Sequence, residues 1–164
     1  MTDASSEVVL TVPVRDGQYH LRSLPGIDNM WPGSEDGLFV GEDNWVAVLC
    51  GTRWGPVHLT IRRYERQPAE VDTTWEMAAE WSLDCSDGQL RIHDTYNSAD
   101  PTDLEVPAGW SRIRLSVRGR MAASQAPEQL PEPIEHHLLE IWPVPDRLEP
   151  AVVHGPDNYA QFLK

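Results

Sequence analysis

At 164 residues, with 40% hydrophobic and 24% charged positions, the chain has the size and composition of one globular domain spanning residues 1–164. Its 26 acidic against 13 basic residues give a net charge of −13, which disfavours nucleic acid or an anionic membrane surface as the target, because both are held through Lys and Arg. The same charge suits a basic protein partner, whose approach it would steer.

Only two cysteines are present, the start MTDASSEVV has neither a basic stretch nor an apolar core, and no apolar run is long enough to span a bilayer. These features predict a cytoplasmic protein. Cys50 and Cys85 each end an apolar strand pattern, which predicts two buried free thiols.

Period-two patterns and dense turn residues predict an all-β chain, an antiparallel β-sandwich with a short C-terminal helix. Glu7–Val14 and Gln18–Leu21 read as a hairpin around Asp16-Gly17. Residues 25–37, PGIDNMWPGSEDG, read as a long surface loop carrying Trp31. Asp28, Glu35, Asp36, Glu42 and Asp43 follow one another with no base between Arg22 and Arg53, an acidic edge without the ligand spacing of a calcium loop. Leu38–Val40 and Asn44–Cys50 form the next pair of strands. Gly55–Tyr64 turns Val57, Leu59 and Ile61 inward. Trp75–Asp84 mixes helix-favouring residues with nine residues of strand alternation, and the alternation decides for strand. Ser86-Asp87-Gly88 then turns the chain into Gln89–Thr95, and Thr102–Val106 is a further short strand.

Gly109–Gly119, GWSRIRLSVRG, alternates most cleanly. Ser111, Ile113, Leu115 and Val117 face the core, while Trp110, Arg112, Arg114 and Arg118 share the other face. Two readings of that arginine stripe stand side by side. Glu76, Glu80 and Asp84 on a neighbouring strand would neutralise it, or it would bind a partner. Residues 121–133, rich in Pro, Gln, Glu and Ala, read as a loop between the two strands of a hairpin, the second strand being Ile134–Val144. Asp157–Leu163 carries Tyr159, Phe162 and Leu163 at helical spacing.

No catalytic constellation assembles. There is no HExxH, Walker loop, dinucleotide fingerprint or GxSxG elbow, so no enzyme, cofactor or metal site is expected. His136 and His137 point to opposite faces of their strand and cannot share one ion, and at most one of them can join His58 or His93 across the sheet. Trp31 and Trp54 lie at turns and Trp110 on the arginine face, which makes these three, with Arg112, Arg114 and Arg118, the candidate binding residues. A carbohydrate or small-ligand module, with a sugar stacked on exposed tryptophans, is the alternative class.

The Pro-x-Gly turn and strand VPAGWSRIRLSVRGR, a loop, and EHHLLEIWPVP resemble the C-terminal hairpin of small bacterial β-sandwich proteins of the competence nuclease inhibitor and immunity type. The resemblance covers about a quarter of the chain. It implies a cytoplasmic, non-catalytic protein that binds another protein, and it transfers no catalytic residue.

Overall fold

The computed structural model describes residues 4–23, 33–94 and 102–164. Eleven strands among these residues form one sheet. β1 (Ser6–Arg15) turns at Asp16-Gly17 into β2 (Gln18–Arg22), but the two share only the Arg15–Gln18 pair. β1 instead runs antiparallel along the whole of β5 (Trp54–Arg63), and β2 pairs with β4 (Trp45–Leu49), which pairs with β3 (Phe39–Gly41). β6 (Met77–Cys85) runs antiparallel to β9 (Gly109–Arg118), which is followed by β10 (His136–Pro143) in the expected hairpin. β7 (Gln89–Asp94) pairs with β2 and with β8 (Thr102–Glu105). β11 (Ala151–His154) pairs with β6.

The chain is therefore mostly strand, as the alternation predicts, but the antiparallel sandwich is corrected to a curled mixed sheet, a half-barrel. The reason lies in one pairing: β10 lies parallel to β5, with His136 opposite His58 and Ile141 opposite Arg63. That contact joins the β6-β9-β10 block to the β5-β1-β2-β4-β3 block edge to edge, so a single sheet wraps around the core instead of two sheets stacking. Val57, Leu59 and Ile61 fill the interior with Ile113, Leu115 and Val117. Cys50 and Cys85 are both buried and free.

Two segments differ from expectation. The composition of residues 121–133 predicts a loop, yet the chain there begins with a helix, α1 (Arg120–Gln125). Its Arg120 side chain is fully buried, with Nε and Nη2 donating to Asp157 at 2.8 and 2.7 Å and Nη1 donating to the Gly37 and Leu49 carbonyls. That anchor holds a short turn of good helix formers in place. The C-terminal helix is a single 3-10 turn, Ala160–Phe162. Among the described residues no helix is long and apolar enough to cross a membrane.

Candidate functional site

The arginine stripe is the first place to look. Antiparallel pairing sets Glu80 opposite Arg114 and Ser82 opposite Arg112. Glu80 thus sits between two guanidinium groups, 3.2 Å from Arg112 Nε and 2.9 Å from Arg114 Nε. Arg112 also donates to Ser82 Oγ and to the Leu148 and Glu149 carbonyls at 2.8–3.0 Å. Arg114 donates to the Glu70 carbonyl, lies 3.8 Å from Glu140 and stacks over Trp142. Segments preceding β6 and following β10 therefore roof this face. Arg112 and Arg114 keep only 3% and 2% of their surface, and their charge is met inside the chain.

Of the other expected binding residues, Arg118 is exposed, its guanidinium 4.7 Å above the Trp75 ring. Trp54 and Trp110 are half-buried, at the starts of β5 and β9. Trp31 lies outside the described residues. The expected counterparts of the stripe divide: Glu80 is its bridge, whereas Glu76 accepts a hydrogen bond from the Gly119 amide. The five described candidates thus divide into two buried arginines, Arg112 and Arg114, and three residues that reach the surface, Arg118, Trp54 and Trp110.

A second cluster, which the sequence reading did not find, lies wholly inside. Tyr19 on β2 and Glu135, just before β10, are joined through His137. The Tyr19 hydroxyl lies 2.8 Å from Nδ1, and Nε2 lies 2.5 Å from Glu135 Oε2. The tautomer that satisfies every partner has Tyr19 donating to Nδ1 and Nε2–H donating to the carboxylate. Glu135 Oε1 accepts from the Gly51 and Thr52 amides and from Thr52 Oγ1. Cys50 completes a group whose potential ligand atoms lie within 4.8 Å of one another. Burial pushes the Cys50 thiol well up, and the Glu135 carboxylate pushes it the same way. Each of these side chains already has a protein partner and none reaches solvent, so the cluster clamps β2, the 51–52 turn and β10 together. On the outer face, His136 meets His58 across the parallel pair with ring centroids 4.9 Å apart, the cross-sheet contact that strand geometry allowed.

A cleft of about 650 Å³ opens among the described residues. Because the sheet curls, its two ends come to line the same opening: Phe39, Val40 and Gly41 of β3 on one side, Ala151 and Val152 of β11 on the other, with Trp81 of β6 between them. Phe39 and Trp81 pack ring to ring, with centroids 5.8 Å apart. At one end the gap is closed by the β3–β4 turn, where Asp84 N donates to the Asp43 carbonyl and Trp81 Nε1 to that of Glu42. Glu35, Asp36 and Glu149 line the cleft beside Arg147 and Lys164, and Arg147 spans from Asp43 to Glu149 at 2.9 and 2.8 Å. Four of the five acids read as an acidic edge thus lie at or beside the mouth of this cleft.

This half-barrel, with its free ends meeting over a cleft, has a counterpart among solved structures. Its fold is similar to that of ComJ. ComJ is the inhibitor of the DNA-degrading activity of NucA from Bacillus subtilis; the match has a TM-score of 0.60 at 10% identity, covering 88% of this chain and 99% of that one. The protein of crocagin biosynthetic gene J matches with a TM-score of 0.50 at 14% identity, over 84% of this chain and 98% of that chain. At such identities the likeness to ComJ is one of fold, and the resemblance read from the C-terminal hairpin extends to it. No family model matches the chain, and comparison with curated proteins gives no match.

Proposed function

We propose that the protein is a non-catalytic, inhibitor-like domain that binds a basic protein through the acidic rim of the cleft. The observation that carries this reading is the fold shared with ComJ over nearly the whole of both chains, an inhibitor whose target is another protein. Charge supports it: a molecule of net charge −13 presents Glu35, Asp36, Glu42, Asp43 and Glu149 around one opening, a distribution that speeds encounter with a positive surface and selects against acidic ones. Chemistry supports it as well. The His-carboxylate relay Tyr19–His137–Glu135 is enclosed in the core, where no substrate reaches it.

Site-specific photocrosslinking tests the reading. A crosslinker at position 35 or 149, in cells of the source organism, is expected to capture one basic protein that also binds the purified domain, and a crosslinker at the exposed Val9 of β1 is not. Equal capture from both positions, or a partner that binds with no dependence on ionic strength, overturns it.

A further inference from the structure

A curled sheet that does not close leaves strand edges, and each bare edge is a template for another strand. Among the described residues β3, β8 and β11 pair on one side only along their whole length, and β1 does so over Ser6–Val14, a stretch that does not line the cleft. β3 is covered by its own chain, and β8 is met by a side chain at its end. The Phe39 amide donates to Asp36 Oδ1 and its carbonyl accepts from Ser34 Oγ, so the outer side of β3 is filled by the loop before it. The carbonyl of Glu105 at the end of β8 accepts from Arg63 Nη1. β11 has no such cover: among the described residues no side chain bonds its outward backbone. Its valines are also bare, Val152 at 42% and Val153 at 37% exposure. Pro150 and the Gly155-Pro156 pair bracket the strand, so the open run is Ala151–His154, about 13 Å of extended chain.

Soluble proteins blunt such an edge with charge, proline or a bulge. β11 carries one of these devices, a bulge whose extra residue is its own Val153, but Ala151, Val152 and Val153 bear no charge and the run lies open beside the cleft. We infer that the β11 edge captures an extended segment of the basic partner, which adds as a further strand alongside Ala151–His154 and lays its Lys or Arg side chains against Glu149 and Glu35 at the rim. Backbone hydrogen bonds then supply affinity, and the carboxylates with the apolar cleft wall supply selectivity for alternating basic and apolar side chains. A second copy of this chain is a poor occupant, since it would bring another −13 of charge to the same edge. The inference rests on the protein-binding reading above and names its mode.

The test uses a capped hexapeptide of alternating lysine and valine, and the same peptide N-methylated at every amide, which keeps charge and side chains but cannot pair with a strand. The plain peptide is expected to bind, to slow hydrogen exchange in Ala151–His154, and to lose about tenfold or more in affinity on N-methylation. Glu149→Lys should weaken the plain peptide further without altering the fold. Equal binding of the two peptides, or protection confined to other strands, overturns strand addition and leaves the acidic-rim reading standing. Absence of binding by both overturns strand addition too, while photocrosslinking at position 149 reports separately on the rim. Self-association through β11, seen as a concentration-dependent mass that the peptide does not dissociate, also overturns it.

Discussion

Glu80 carries the sharpest energetic consequence of the fold. Its two carboxylate oxygens serve two guanidiniums, Arg112 at 3.2 Å and Arg114 at 2.9 Å, and its side chain keeps 9% of its surface against 4% and 3% for theirs. Glu80→Gln preserves volume while leaving two enclosed cations facing a neutral amide. Removing one member of a buried ion pair costs about 3–5 kcal/mol, because the charge left behind has lost both water and partner. The carbonyls of Glu70, Leu148 and Glu149 still accept from these arginines, which places the expected loss near the lower end, about 3 kcal/mol. For a chain of this length that is a fall in Tm of roughly 6–12 °C. Urea unfolding at low and high salt is the assay, with Arg62→Ala as the control. The Arg62–Glu7 pair lies at 2.8 Å on the surface, is expected to contribute under about 1 kcal/mol, and should lose that in salt. A loss below about 1 kcal/mol for Glu80→Gln, or one that salt abolishes, refutes the reasoning.

Other outcomes follow from the same structure. The Cys50 thiol is raised by burial and the Cys85 thiol is pushed up to about 11, so both should react with a disulfide reagent at neutral pH only after unfolding, and rapid native-state reaction would contradict their enclosure. His20 is lowered to about 4, first by burial and then by Arg22. A depressed histidine stabilises above its unfolded value and loses that contribution as pH falls, so stability should decline between about pH 6.5 and pH 4; His20→Asn should flatten that part of the curve, and an unchanged curve would contradict the assignment. A Cβ at Gly51 would lie 1.8 Å from the Arg120 carbonyl oxygen, so Gly51→Ala is expected to cost at least about 2 kcal/mol in chemical denaturation.

Strand periodicity made most of the fold legible. The alternation in Gly109–Gly119 located β9 and its inward residues, all buried, and the same pattern in Trp75–Asp84 overrode helix propensity to give β6. Register could not be read, because the β5–β10 contact joins segments some eighty residues apart with no local signal, and that contact makes the sheet mixed. β11 was missed for a related reason: four residues between prolines, with exposed valines, carry no alternation to detect. The stripe was legible as a charged face and as the partner of Glu80, yet not as a buried one. Its roof consists of irregular segments whose carbonyls, not side-chain patterns, meet the arginines. His137 was legible only as pointing away from His136, and its link to Tyr19 spans 118 residues. The cleft escaped notice because it exists only once the two ends of the sheet are brought face to face.

The most direct test of the account is the affinity of the photocrosslinked partner for the wild-type domain and for the Glu35→Lys/Glu149→Lys variant, measured by calorimetry at one ionic strength. Reversing two rim charges should weaken binding by roughly tenfold or more, with little change in Tm, since both carboxylates are on the surface. Equal affinity for the two proteins would contradict the claim that this cleft is where the domain meets its partner.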